Sequence, residues 1–272
     1  MFSIYYDKVF TVFFVVLATI FGLVFGSFLN CFAWRLAHGE SVAKGRSHCT
    51  SCGHTLGVWD LFPLFSWLFL GGKCRYCRAK ISIRYPLTEL SFAVITVLTL
   101  LKYDLTPLFL RNWILCGCLF LISLVDLEVF EIPFGAVITA LVTWFVFVPF
   151  IGTDGTGFVF KDLLLHLSSA FVFPGVLMLI AAVMSKILKK ESLGGGDVKL
   201  MAVLGLYAGY LSGLLAVLLS CVLGLILAAV YKKARPDGEG YFPFGPAICA
   251  ALWLVLLYGE PVVNWYLSLY SI

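Results

Sequence analysis

Charge is what this sequence has least of. Only 12% of its 272 residues are charged, 19 Lys and Arg against 15 Asp and Glu, while 61% are hydrophobic. A soluble domain carries about 25% charged and about 45–50% apolar residues. A soluble enzyme, a disordered chain and a disulfide-stapled secreted domain are therefore excluded. The alternating apolar–polar runs of a membrane β-barrel are missing as well, because the apolar runs are continuous. There is no G-x-S-x-G, no H-E-x-x-H and no glycine-rich nucleotide motif. Inside the apolar runs His166 is the main titratable group, and one such group makes a poor ion relay, which counts against a transporter.

What is present is enough apolar sequence for roughly seven or eight membrane spans at about 20 residues each. The runs predict an all-α polytopic membrane protein with about eight transmembrane helices: about Phe10–Trp34, Leu87–Leu101, Phe109–Val125, Phe134–Ile151, Leu163–Ser185, Leu200–Leu211, Gly213–Tyr231 and Phe244–Tyr258. The sixth and eighth are short. The first run is too long for a signal-peptide core and no small-residue cleavage site follows, so it is expected to remain in the protein. The aromatic tail Pro261–Tyr270 is expected at an interface. Three parts follow: residues 1–37 as a first helix, 38–86 as a polar loop, and 87–272 as a helical bundle. Gly22 with Gly26, and Gly205 with Gly209, have the spacing that lets helices approach closely.

Orientation follows from the cations. With eight spans, fifteen of the nineteen Lys and Arg fall on one side and four on the other. The positive-inside rule puts that majority in the cytosol and both termini outside. Topology thus accounts for the basic residues, and nucleic acid is not an expected partner.

The 38–86 loop carries Cys49-Thr50-Ser51-Cys52 and Cys74-Arg75-Tyr76-Cys77. Two C-x2-C pairs at this separation have the spacing of a structural zinc site, each pair aiming two thiolates at one ion. Two disulfides, or four unligated thiols, are the competing readings, and a reducing cytosol counts against the disulfides. The other five cysteines sit in apolar runs and read as small hydrophobes.

Asp126 follows the third apolar run and Asp197 precedes the sixth, after Gly194-Gly195-Gly196. Both map to the cytosolic membrane boundary. One reading is structural: Asp126 solvates a helix end and Asp197 caps a helix start. The other is catalytic. Two carboxylates brought together share a proton, so one can activate water while the other protonates a carbonyl. Three glycines before an aspartate, which a cap does not need, favour the second.

Taken in order, these residues resemble the type IV prepilin peptidases, membrane aspartyl proteases of the GxGD class. The match runs over Gly26-Ser27-Phe28-Leu29-Asn30 with Arg35, the paired cysteines, Pro63-Leu64-Phe65-Ser66-Trp67, Gly72-Lys73-Cys74-Arg75, and Arg84-Tyr85-Pro86 with Glu89. It continues through Asp126 with Ile132-Pro133, Gly194-x-Gly196-Asp197-x-Lys199-Leu200 and Pro243-Phe244-Gly245-Pro246. Thr50, Glu128 and Phe134 stand where many members have Pro, Asp and Asp. The resemblance implies catalysis by Asp126 and Asp197 in a bacterial inner membrane. The implied substrates are prepilins or pseudopilins, whose basic leader is cut off after a glycine. It also implies N-methylation of the new terminus from S-adenosylmethionine. Glu128 and Glu131 have two readings, contact with the basic leader or solvation of a short loop. Lys199 has two as well: orienting Asp197 or the scissile carbonyl, or snorkelling to the interface. The alternatives are another GxGD protease, and a transporter or scaffold with a zinc-bound loop.

Overall fold

The computed structural model describes residues 3–42, 45–155, 157–189, 194–234 and 242–270. Lys44, Lys190 and Arg235, counted in the charge distribution, lie outside them. The chain forms two compact units, Met1–Phe109 and Leu110–Ile272. Among the described residues every regular element is a helix, apart from two isolated antiparallel bridges.

In the first unit α1 (Lys8–Ala37) packs against α3 (Arg84–Tyr103). The contact is antiparallel: a methyl added at Gly22 would meet the Ala93 backbone, and one added at Gly26 the Glu89 backbone. Larger residues would hold the helices apart, so small ones occupy the seam. At the other end of the pair, Asp104 accepts the Ile4 N–H at 3.0 Å, and Ile4, Ala18 and Leu100 form a small core. Between the two helices lies the cysteine loop, with a turn of 3-10 helix at Val58–Asp60 and the short α2 (Phe65–Phe69).

The second unit holds α4 (Pro107–Val129, entering from the first unit), α5 (Phe134–Ile151), α6 (Phe160–Leu188), α7 (Gly195–Ala208), α8 (Leu211–Ala234) and α9 (Gly245–Ser268). α7 packs against α5, α6, α8 and α9, and buries Leu200, Met201 and Val203–Tyr207. Polar bonds fasten it: Ser169 Oγ donates to the Gly205 carbonyl at 2.7 Å, and the Tyr207 hydroxyl to the Ala140 carbonyl at 2.9 Å. The buried Arg111 guanidinium reaches the Thr153 carbonyl at 2.6 Å and lies 5.4 Å from the Tyr207 ring centre.

Among the described residues, eight helices answer the eight expected spans, and seven of them are long and apolar enough to cross a membrane. The exception is α7, whose 14 residues extend about 21 Å, short of the roughly 30 Å hydrocarbon layer. The aromatic tail is helical: α9 runs through Pro261 to Ser268, so Trp265 and Tyr266 sit on a continuous helix.

Candidate active site and metal centre

Asp126 lies one turn before the end of α4 and is 5% exposed. The helix stops because Phe130 turns left-handed (φ 57°) and Pro133 then starts α5. A left-handed conformation costs a residue with a Cβ roughly 1–2 kcal/mol, and Phe130 is held there with its ring edge-on to Tyr231 at 6.1 Å. The turn it makes carries Ile132 to α7: a Cβ at Gly196 would lie 2.9 Å from the Ile132 Cβ. Only glycine lets these two segments touch, and the residue after Gly196 is Asp197.

Asp197 sits in the first turn of α7, and Gly194 is the N-cap. This corrects the structural reading in which Asp197 itself caps the helix. Asp197 lies outside the seven membrane-length helices, and its pKa is pushed up to about 6, first by burial and then by the negative charge of Asp126. The Asp126 charge thus reaches Asp197, 71 positions along the chain (197 − 126). Like charges at close range favour one proton shared between them.

A third contributor went unread in the sequence. The Gly245 backbone N–H, at the start of α9, donates to Asp126 Oδ2 at 2.9 Å. A helix N-terminus presents unsatisfied N–H groups and a partial positive charge to an anion. A methyl at residue 245 would stand 2.7 Å from the same oxygen. The Pro243-Phe244-Gly245-Pro246 run carried the signal, since glycine beside proline marks a helix start with room for an approaching group. One turn on, Cys249 is buried within electrostatic reach of both carboxylates.

The other candidates divide. Gly194 and Gly196 border Asp197: a methyl at Gly194 would lie 3.5 Å from its Oδ2. The Lys199 ammonium lies over the Phe134 ring at 4.9 Å. Glu128 is half-buried on α4 and Glu131 is exposed in the α4–α5 turn.

In the first unit the four thiols of Cys49, Cys52, Cys74 and Cys77 all lie within 4.8 Å of one another and can hold a metal ion. Each pair sits in the same turn. Gly53 donates to the Cys49 carbonyl at 2.8 Å and Arg78 to the Cys74 carbonyl at 3.1 Å, and both donors are left-handed. The Cys52 and Ser51 backbone N–H groups pull the Cys49 thiol down to about 6. The Ala79 N–H acts in the same direction on Cys77, but burial and the neighbouring thiols outweigh it and push Cys77 up to about 11. Four thiols in one cluster cannot all ionise without a cation among them. Asp60 joins the loop together. It accepts from Arg75 at 2.6 Å and from the Tyr76 hydroxyl at 3.1 Å. Burial raises its pKa, but the Gly57 N–H and these two side chains prevail and hold it below the usual range. Glu89 of α3 accepts the Leu64 N–H at 2.6 Å, tying the loop to its helix.

Comparison with known proteins gives matches over nearly the whole chain. Residues 20–103 match the bacterial peptidase A24 N-terminal domain, and residues 113–229 match the type IV leader peptidase family. An Escherichia coli protein described as a type 4 prepilin-like proteins leader peptide-processing enzyme is 36% identical over 251 residues, covering 86% of this chain and 90% of its own. Prepilin leader peptidase/N-methyltransferases of Pseudomonas putida and Neisseria gonorrhoeae are 31% and 30% identical. They cover 92% and 93% of this chain, and 92% and 95% of their own. No solved structure matches the chain.

Proposed function

Because the chain belongs to the type IV leader peptidase family, we propose that it is a membrane aspartyl endopeptidase that removes the basic leader of type IV prepilins or pseudopilins, with Asp126 and Asp197 as its catalytic pair. The observation that carries the residue assignment is the convergence of three segments: Ile132, beyond the end of α4 that bears Asp126, lies against Gly196 next to Asp197, and the Gly245 N–H at the start of α9 donates to Asp126. The ionised member takes a proton from a water molecule, whose oxygen attacks the scissile carbonyl carbon. The protonated member gives its proton to the carbonyl oxygen. When the C–N bond breaks, the proton taken from water passes to the leaving amine. The Gly245 N–H supports Asp126 as the ionised member, and the raised pKa of Asp197 supports it as the proton holder. Gly194 and Gly196 serve as close-approach positions beside Asp197. Glu128 and Glu131 are assigned to the basic leader on charge alone, and Lys199 to the α5–α7 contact.

Incubating the purified protein with a prepilin and weighing the products tests this reading. The expected outcome is loss of the leader after a glycine, with one further methyl group on the pilin when S-adenosylmethionine is supplied. An unchanged prepilin mass would overturn it. The methylation half rests on the relatives' names. The described residues contain no strand–glycine loop–helix cradle for such a donor, and no residue is assigned to it.

We assign zinc to the four thiols. Zn–S bonds of about 2.3 Å put tetrahedral sulfurs about 3.8 Å apart, and Cys49 Sγ and Cys77 Sγ are 3.9 Å apart. When bound, the ion would supply structural cohesion to residues 38–86, within the unit that holds α1 and α3.

The orientation is inferred from charge, with α7 counted as the eighth crossing because it is enclosed by α5, α6, α8 and α9 rather than by lipid: both termini outside, and the aspartates facing the cytosol of a bacterial inner membrane. Labelling by a membrane-impermeant thiol reagent, after replacing the five cysteines outside the loop, tests it. Lys102→Cys is expected to react in intact cells and Lys233→Cys only after permeabilisation; the reverse pattern would refute the orientation.

A further inference from the structure

The cysteine loop has an apolar outer face with no protein against it among the described residues. Phe69 is 85% exposed, Trp59 and Val58 are each 79% exposed, and Phe62 is 53% exposed. The phenylalanine rings are grouped. Those of Phe65 and Phe69, one turn apart on α2, lie 6.4 Å apart, and the Phe62 ring, just before the helix, lies 5.8 Å from Phe65. The opposite face is fixed inward. There Trp67 donates its indole N–H to the Ile81 carbonyl at 3.1 Å and its ring covers Gly72.

The height of this face can be read from its attachment. Leu64, between Phe62 and Phe65, donates its N–H to Glu89. Glu89 is five residues into α3, whose 20 residues begin at Arg84, so it stands about 7.5 Å along the axis. A 20-residue helix is about 30 Å long, no longer than the hydrocarbon layer it crosses. The first turns of α3 therefore cannot stand clear of the lipid headgroups, and neither can a loop bonded to its second turn. Charge points to the same occupant. Over residues 45–83 the cations Arg46, Lys73, Arg75, Arg78 and Lys80 face a single carboxylate, Asp60. A basic segment with an aromatic face has the composition of an interfacial, lipid-seated element.

We propose that Phe62, Phe65 and Phe69, with Val58 and Trp59, seat the four-cysteine loop in the headgroup region of the bilayer. The loop is then a membrane-surface module rather than a free domain, and its metal lies beside the lipid surface. The occupant is anionic phospholipid, not the substrate and not a second copy of this chain.

Trp59 serves as the reporter. Emission of the wild type minus that of Trp59→Phe isolates it from the other six tryptophans. The full chain is reconstituted in vesicles of phosphatidylcholine and phosphatidylglycerol, with or without bromine on the acyl chains near the headgroup. The expected result is loss of roughly half or more of the Trp59 signal in the brominated vesicles, with little quenching by aqueous acrylamide, as for an interfacial indole. Phe69→Asp, which puts a charge in the middle of the face, is expected to reverse that order while zinc content stays at the wild-type level. Quenching of Trp59 by acrylamide with no bromine effect would overturn the proposal by showing a water-facing loop. Shielding from both quenchers would overturn it in favour of a protein covering.

Discussion

Asp197→Asn is expected to abolish prepilin cleavage and, in the same protein, to raise resistance to unfolding. The two effects have one cause. The folded-state pKa of Asp197 is raised to about 6, above the roughly 3.9 of an unfolded aspartate. The folded state therefore binds the proton more tightly. The resulting stability is fully present below about pH 4 and is lost as pH rises through about 6. At neutral pH the carboxylate costs the fold on the order of 1–3 kcal/mol, the lower end allowing for solvent screening at a partly exposed site. An asparagine removes that cost and with it the exchangeable proton. Melting temperatures in one detergent are expected to be higher for the variant at pH 7.5 and to converge with the wild type near pH 4. Asp126→Asn is also expected to lose cleavage. Because a dyad acts as a unit, the double variant should be no worse than either single one. Glu128→Gln and Glu131→Gln are expected to retain cleavage. Robust cleavage by either asparagine variant, or a less stable Asp197→Asn protein at pH 7.5, would return these aspartates to a structural role.

Cys49→Ser combined with Cys74→Ser is expected to take bound zinc from one ion per chain to none. It should also make residues 45–83 the first site of proteolysis. The loop has little apolar interior of its own: Cys74 is among its few buried residues, and in the Asp60–Arg75 tie the arginine side chain is half exposed. Structural zinc contributes about 10–16 kcal/mol of apparent binding energy in small peptides, far more than such contacts supply. Peptidase activity should fall only as a secondary effect, since neither aspartate belongs to this unit. Elemental analysis decides the matter. Wild-type protein without zinc, or a double variant that keeps it, would leave the thiols with another purpose, and a thiol titration unchanged by reductant would exclude the disulfides.

The membrane helices were legible wherever breakers bracket an apolar run. Pro133 and Gly152 delimit α5, and the expected and observed bounds coincide at Phe134–Ile151. Two boundaries were not legible. The apolar run into Leu211 hides a break at Gly209, whose left-handed backbone (φ 64°) ends α7 and lets α8 begin at Leu211. At the other end Gly259-Glu260-Pro261 read as the end of a helix, yet α9 continues through all three, with Gly259 closed against Val255. In the site, the carboxylates and thiols were legible because their chemistry is in their side chains. The Gly245 contact was not, because a main-chain donor has no side-chain signature. The Ile132–Gly196 contact had only its two motifs to announce it.

The Gly245–Asp126 bond also sets a clock. The donor is made 119 residues after its acceptor, at the start of α9 and after α5 to α8. Throughout synthesis of α5 to α8 the chain holds Asp126, and later Asp197 as well, without the amide that fastens the first of them. On the proposed assignment, the pair is not fully fastened while α5 to α8 are being assembled, and so is not ready to cut neighbouring nascent chains at that stage. The order of the helices thereby delays completion of the proposed site until α9 has been made.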